Sequence, residues 1–283
     1  MVAMNFKDFY DLARFDHGIL VVIAILVGEI ITLKSFPPFY LFLKAGLTGL
    51  FIQAASFMIG DYFDRKTDML NKRYDRPLAR GTVNEKTAVL LSLLFFAVGL
   101  TLAYSINFPA FLIASVFALI GFSYGFYFKN TPLLGNFFTA ASMAVPFIFG
   151  GIVHGKIPSS VIVLSAMAFL AGTGRELIKG VQDYEGDKLT GRKTFAIVFG
   201  KTKAVCLAVP FVLSAVILSF YPFFAIKEFL MDYVYLSFIV ITDLLWVYAV
   251  VKAVRLSNLE SVRRITMLGQ FTALLGFLLG VLF

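Results

Sequence analysis

Long apolar stretches separated by short polar ones dominate this sequence. Nine of them are close to the ~20 predominantly apolar residues that an α-helix needs to cross a bilayer. None shows the residue-by-residue alternation that is typical of strands in a membrane β-barrel. Because a helix satisfies its own backbone hydrogen bonds in lipid, the pattern predicts an all-α bundle of nine transmembrane helices, forming one domain over 1–283. The segments lie near 15–33, 41–59, 87–105, 108–128, 134–153, 159–178, 203–221, 233–251 and 265–283.

The composition supports a membrane protein and argues against an ordinary soluble domain. Of the 283 residues, 59% are hydrophobic and 15% are charged, and the mean hydropathy is +0.86. Soluble domains carry about 25% charged residues. The net charge of +8 could indicate a nucleic-acid partner, but the basic residues do not form one patch. We therefore expect membrane lipids, and no nucleic acid, as partners.

The basic residues are divided unequally between the two ends of the predicted helices. If the N-terminus shares a face with every second connection, only Lys34, Lys44, Lys156 and Lys227 of the 25 basic residues lie on the opposite face. Short loops rich in Lys and Arg remain cytoplasmic. The sequence thus predicts a multi-pass protein of the cell membrane, with its N-terminus and its long polar loops in the cytoplasm.

Two connections, 60–86 and 179–203, are much longer than the others and carry regularly spaced acids. If the helices before them continue, spacings of three and four residues put the acids of each connection on one helix face. Both sets should then project from cytoplasmic helix ends. We call those of the first connection the first aspartate cluster (Asp61, Asp64 and Asp68) and those of the second connection the second aspartate cluster (Asp183 and Asp187).

Carboxylates at this spacing call for a cation beside them. Like charges one turn apart on a helix repel each other, and acids near a helix C-terminus oppose the helix dipole. No Cys or His cluster lies nearby, so the ligands suit a hard divalent ion. Mg²⁺ usually keeps several waters and takes phosphate oxygens as further ligands. The sequence therefore predicts Mg²⁺ as cofactor, with Asp61, Asp64, Asp68, Asp183 and Asp187 as its candidate ligands.

Basic residues lie among these acids, a mixture that fits a phosphorylated anion bridged to carboxylates by metal. Lys179 precedes Asp183 by one turn and could hold a diphosphate or simply neutralise that acid. The alternative for the whole set is an ordinary solvated loop rich in charge. The basic residues are Arg65, Lys72, Arg73, Arg76 and Arg80 in the first region, and Arg175, Lys179, Lys188, Arg192 and Lys193 in the second.

These motifs resemble the signatures of the UbiA superfamily of intramembrane prenyltransferases, and the resemblance covers essentially the whole chain. The first signature is GDYFDRKTD at 60–68 with DRPLARG at 75–81, where Gly60 replaces the family's Asn. The second is RELIKGVQDYEGD at 175–187, where Gly180 replaces a frequent Asp. A Tyr-x-x-Tyr-x-Lys element at 124–129 also looks like the family. Two Asp-rich matches, on the second and sixth helices, are far more specific than one.

The resemblance implies a nine-helix bundle around a cavity, in which Mg²⁺ is held between the aspartate clusters and the diphosphate of a prenyl donor. Asp64, Asp68, Asp183 and Asp187 would form the metal site, helped by Asp61. Lys179, Arg76 and Arg65 would contact the diphosphate. Tyr124 and Tyr127 could face the allylic cation, because ring faces stabilise positive charge, or could simply be aromatic residues at the membrane interface.

The acceptor distinguishes the branches of this superfamily. The block at 183–187 and the residues Gly191 to Thr194 most resemble the archaeal branch that makes ether lipids. That branch attaches a second geranylgeranyl chain, from geranylgeranyl diphosphate, to geranylgeranylglyceryl phosphate. The acceptor then carries its own phosphate, for which Arg73, Arg80, Arg192 and Lys193 are candidate contacts.

Two other functions remain open from the sequence. One is a prenyltransferase of quinone biosynthesis that acts on 4-hydroxybenzoate or a naphthoate. The other is a cation or phosphate transporter, although transporters tend to place ion-binding groups near the bilayer midplane, whereas these acids cluster at one face. The Asp-x-x-Asp-Gly-x-x-Ala-Arg pattern of CDP-alcohol phosphotransferases is absent from the sequence.

Overall fold

The computed structural model describes residues 4–256 and 258–282, and these residues form helices joined by short connections. Two single 3₁₀ turns, Phe128–Asn130 and Lys227–Phe229, supplement the α-helices. The α-helices are α1 (Phe6–Ala13), α2 (Phe15–Leu33), α3 (Phe39–Leu70), α4 (Pro77–Arg80), α5 (Glu85–Tyr104), α6 (Phe108–Tyr124), α7 (Leu134–Val153), α8 (Ser159–Gln182), α9 (Tyr184–Leu189), α10 (Phe195–Phe199), α11 (Lys201–Ser219), α12 (Tyr221–Ala225), α13 (Tyr233–Val254) and α14 (Leu259–Leu282).

Eight candidate membrane spans are present in the described residues, where the sequence pattern predicted nine. The eight are α2, α3, α5, α7, α8, α13, α14 and the stretch Lys201–Ala225, which covers α11 and α12. The difference is α6, which is apolar but has 17 residues. It ends at Tyr124, whereas the predicted segment ran to 128. Gly125 follows the last helical residue, and a 3₁₀ turn at Phe128–Asn130 comes after it; glycine has low helix propensity.

The first aspartate cluster lies on a helix rather than in a loop. α3 continues for 32 residues to Leu70, so Asp61, Asp64 and Asp68 share one face, as their spacing predicted. The helix stops at Asn71, and Lys72 follows with a φ of 55°. The long first connection therefore reduces to 71–84, with the short helix α4 inside it.

The helix that precedes the second aspartate cluster does not continue through it. α8 ends at Gln182, Asp183 has φ −84° and ψ 1°, and α9 begins at Tyr184. The Asp187 amide still donates to the Asp183 carbonyl at 3.0 Å, so the two acids remain one turn apart across the break.

The close approach of α2 and α7 depends on glycine. A Cβ atom on Gly28 would lie 2.2 Å from the Phe147 carbonyl oxygen, and one on Gly150 would lie 2.3 Å from the Ile25 carbonyl oxygen. Small residues let membrane helices bring their backbones together. The two glycines therefore allow α2 and α7 to pack with their backbones in contact.

Gly28→Ala should therefore destabilise the bundle, because the added methyl group meets backbone that has no rotamer to change. We expect the Tm in detergent to fall by at least about 5 °C, the shift that ~2 kcal/mol produces in a chain of this size. Gly60→Ala is the matched control, since no described neighbouring atom lies within 4 Å of a Cβ placed there. Equal Tm values for the two variants would contradict this account of the α2–α7 contact.

Candidate active site

The first aspartate cluster is held together by arginines from outside α3. Arg76, in the connection after α3, donates to Asp61 and to Asp68 at 2.9 Å each. Arg14, between α1 and α2, also pairs with Asp61 and lies 4.2 Å from the ring centroid of Phe57. Two sequence segments thus direct positive charge onto one helix face.

Asp64 joins the two aspartate clusters. It accepts from Lys129 at 2.7 Å and from Arg192 at 2.6 Å. Arg192 is buried, donates to Thr67 on α3 at 3.2 Å, and lies 3.9 Å from Asp187. One guanidinium therefore contacts an acid of each cluster.

A hydrogen bond at α9 keeps the second cluster against α3. The Gly186 amide donates to the Asn71 side-chain oxygen at 3.0 Å. A Cβ on Gly186 would lie 2.3 Å from that side chain, so a larger residue would force Asn71 to move and would disturb this hydrogen bond. Thr67 and Thr190 are 3.2 Å apart at the same contact. The two acidic segments, more than 100 residues apart in the chain, thus form one site.

The electrostatics of the site reflect this convergence. Burial disfavours the charge on Arg76, but Asp61, Asp68, Asp64 and Asp183 outweigh it and raise the arginine's pKa above its usual value. Burial raises the pKa of Asp187 to about 6; Lys129 and Arg192 oppose this rise, and Asp183 and Asp64 add to it. Acids of both clusters are therefore close enough to influence one another.

The donor set fits a hard cation that interacts with both clusters. Oδ2 of Asp61 and Oδ1 of Asp187 are buried carboxylate oxygens without a hydrogen-bond partner among the described residues. In 4–256 and 258–282, no group of three or more Asp, Glu, His or Cys side chains already has a metal-binding arrangement. Asp64 forms ion pairs with Lys129 and Arg192, so it would have to give up one of these basic partners to bind a metal ion.

A cavity of about 380 Å³ opens beside the first cluster and extends into the bundle. Asp64 and Thr48 both line it, and their separation of 16 residues on α3 corresponds to about 24 Å at 1.5 Å per residue. Beyond its charged mouth the lining is mostly apolar and aromatic. The cavity can therefore hold an extended hydrocarbon chain whose polar end lies at the aspartates.

Several predicted site residues lie at the cavity or between the clusters. Tyr124 and Lys179 line the cavity, and Lys179 lies 3.5 Å from Glu176. Arg73 lies 3.8 Å from Asp183 and pairs more closely with Asp75, at 3.1 Å. Arg192 joins the clusters as described above.

Other predicted contacts lie away from the cavity. Arg65 pairs with Glu85, and Tyr127 is 60% exposed. Arg80 pairs with Asp8 at 2.6 Å and Asp11 at 3.2 Å on α1; hydrogen bonds from Thr82 and Arg80 lower the pKa of Asp8. Lys193 is exposed to solvent. The sequence could not distinguish these basic residues from Arg76 or Arg192, because all lie in the same charged stretches.

Five further charged residues line the cavity, and none of them was assigned a specific contact from the sequence: Arg14, Lys129, Arg175, Glu176 and Asp243. Arg175 and Glu176 are both buried, and Arg175 donates to Glu176 at 3.0 Å. A signal existed for each of the two on α8, since charges inside an apolar helix are rarely neutral in function. Lys129 and Arg14 are isolated in sequence and reach the site only through the fold.

Comparison with known proteins gives one consistent result. A model of the UbiA prenyltransferase family matches residues 21–280. The digeranylgeranylglyceryl phosphate synthase of Archaeoglobus fulgidus is 35% identical over 278 residues, which is 97% of this chain and 95% of that protein.

Solved structures agree with the sequence comparison. A structure from work on digeranylgeranylglyceryl phosphate synthase in membranes superposes with a TM-score of 0.73 at 30% identity, covering 97% of this chain and 98% of that one. A UbiA homologue from Archaeoglobus fulgidus bound to GPP and Mg²⁺ gives 0.69 at 22% identity, covering 95% of this chain and 99% of that one; at this identity the match concerns the fold.

Proposed function

Because the chain belongs to the UbiA prenyltransferase family, we propose that it transfers a geranylgeranyl group from geranylgeranyl diphosphate to geranylgeranylglyceryl phosphate, with Mg²⁺ as cofactor. One observation carries this proposal: an apolar cavity runs along about 24 Å of α3 and opens at Asp61 and Asp64 of the first cluster, and Arg192 joins Asp64 to Asp187 of the second cluster. A diphosphate with a long hydrocarbon tail has this division into charged and apolar parts. The names of the relatives reported above support this choice of acceptor.

The metal would be held by Asp64 and Asp68 from α3 and by Asp183 and Asp187 from the α8–α9 junction, with Asp61 as a helper. When bound, Mg²⁺ neutralises the diphosphate and makes it a better leaving group. Arg76, Lys129 and Arg192 pair with these carboxylates. They are therefore placed to turn toward diphosphate oxygens once metal takes over their partners.

The reaction exchanges one carbon–oxygen bond for another. The bond between C1 of the donor and its diphosphate oxygen breaks, and the electron pair leaves with the diphosphate. The acceptor hydroxyl oxygen bonds to C1, and its proton passes to water or a nearby base. Tyr124 lines the cavity and can present its ring to the positive charge that develops on the allylic carbons. Lys179, on α8, can hold the departing anion.

For the arrangement in the membrane, we propose that α6 also crosses, giving nine spans, and that α1 and both aspartate clusters face the cytoplasm of a cell membrane. The distribution of basic residues supports this orientation. Single cysteines at Lys156 and Lys193, both exposed, test it in a Cys206→Ser background. A membrane-impermeant maleimide applied to intact cells should label Lys156→Cys only. Labelling of Lys193→Cys in intact cells would instead show that the aspartate clusters face the outside.

Metal binding should weaken in acid because of Asp187. Burial raises its pKa to about 6, so below that pH the metal-free protein carries a proton that a metal ion must displace. We expect Mn²⁺ affinity, followed by electron paramagnetic resonance without donor, to be unaffected by the titration of Asp187 above about pH 7. It should fall by up to about tenfold per pH unit below 6. Asp187→Asn should bind Mn²⁺ more weakly and lose this part of the pH dependence. Equal Mn²⁺ affinities of the unmodified protein at pH 5 and pH 8 would contradict this role of Asp187.

The acceptor is tested by giving the purified protein geranylgeranyl diphosphate and Mg²⁺ in detergent, with one acceptor at a time. We expect product with geranylgeranylglyceryl phosphate and none with 4-hydroxybenzoate or a naphthoate. Product with an aromatic acceptor alone would leave the family assignment intact and overturn the lipid acceptor. Release of no diphosphate with any acceptor would argue against prenyl transfer itself.

A further inference from the structure

The acceptor phosphate needs a positive partner that the donor diphosphate does not use; this inference rests on the function proposed above. Five Arg and Lys side chains line the cavity. Arg14 and Arg76 pair with the first cluster, and Lys129 pairs with Asp64. The other two, Arg175 and Lys179 on α8, pair with a single acid, Glu176. The α8 side of the cavity therefore carries a net charge of one positive unit.

Arg175 is the less satisfied member of that pair. Its side chain is buried, with 9% of the residue exposed, and Nη1 donates to Glu176 at 3.0 Å. Its Nε is buried and finds no acceptor among the residues that the structure describes. An unpaired N–H of a buried guanidinium is costly. Arg175 can thus gain a charge-assisted hydrogen bond from an anion in the cavity.

The position of Arg175 also suits a second anion. It precedes Asp183 by eight residues on α8, which places it about 12 Å deeper along the helix than the second cluster. Lys179 lies midway between the two. The acceptor oxygen must reach C1 from a side that the diphosphate and its metal leave open. An acceptor whose phosphate is held near Arg175 would meet that requirement without competing for the metal.

We propose that Arg175 binds the phosphate of the anionic acceptor and so makes the enzyme specific for a phosphorylated glycerol lipid. This assignment replaces the four contacts expected from the sequence. In the described structure Arg80 is bound to α1, Lys193 faces solvent, Arg192 is bound to Asp64, and Arg73 lies beside Asp75.

The test compares two acceptors that differ only in the phosphate: geranylgeranylglyceryl phosphate and geranylgeranylglycerol. In the unmodified enzyme, kcat/KM should be greater for the phosphorylated acceptor by about tenfold or more, as expected for one charge-assisted hydrogen bond. In Arg175→Gln this ratio should fall close to one, mainly through the acceptor KM, while the donor KM changes less than about twofold. The ratio is measured within each variant, so a loss of folded protein cancels.

Two variants serve as references. Arg264→Gln is the matched control, because this side chain is 78% exposed, and its acceptor ratio should equal that of the unmodified enzyme. If Arg175→Gln yields no folded protein, Arg175→Lys replaces it. Lysine keeps the charge but loses the planar fork, so the ratio should fall several-fold.

An unchanged ratio in the Arg175 variant, or no preference for the phosphorylated acceptor in the unmodified enzyme, overturns the role of Arg175 and leaves the proposed function standing. If the unmodified enzyme uses neither acceptor, the proposed function is overturned instead. A rise in donor KM with an unchanged acceptor ratio would assign Arg175 to the diphosphate and would likewise overturn the proposal.

Discussion

Alanine at Asp64, Asp68, Asp183 or Asp187, one position at a time, should lower kcat for prenyl transfer by about a hundredfold or more. Each of these acids is proposed to hold the metal that neutralises the leaving diphosphate, and such charge stabilisation acts mainly in the transition state. The measurement is steady-state turnover of purified protein with both substrates saturating. Because the four acids act on one ion, a double variant from the two clusters should be little worse than the more damaging single one.

The controls separate chemistry from folding. Glu185→Ala and Asp75→Ala remove acids in the same segments, but these side chains point to solvent, at 72% and 57% exposure. Both should keep most of the activity. Asp64→Asn preserves shape while removing the charge and should be as inactive as Asp64→Ala. Activity above half of the unmodified level in any two of the four alanine variants would refute the shared metal site.

Removing divalent metal should have an equally large effect. Excess EDTA is expected to lower turnover by about two orders of magnitude or more, because Lys129, Arg76 and Arg192 cannot stabilise the leaving anion while they also balance the cluster carboxylates. Added Mg²⁺ should restore turnover fully. Full turnover in EDTA would rule out the proposed mechanism.

The helices and the aspartate faces were predictable because each follows from local rules. Apolar length gave the positions of the long helices. Spacings of three and four residues correctly placed Asp61, Asp64 and Asp68 on one face of α3. The break at Asp183 was not predictable, because no proline marks it and the nearest glycines, Gly180 and Gly186, stand three residues away on either side.

The sequence could not predict which charged side chains pair with each other. Arg76 and Arg80 stand one turn apart, yet Arg76 bridges two acids of α3 and Arg80 binds Asp8 of α1. The direction each takes depends on how α4 packs between α1 and α3, which is a tertiary property. Arg175 illustrates the same limit: its burial and its unpartnered Nε appear only once α8 lies beside the cavity.

The most direct test of the central claim, that two distant segments hold one metal-bridged diphosphate, is an experimental structure with Mn²⁺ and a non-reactive analogue of geranylgeranyl diphosphate. Anomalous scattering locates the metal independently of the protein. The account predicts at least one Mn²⁺ at about 2.0–2.2 Å from carboxylate oxygens, with ligands from Asp64 or Asp68 on one side and Asp183 or Asp187 on the other, and the tail in the cavity. Metal bound to only one cluster, or a diphosphate away from both, would contradict it.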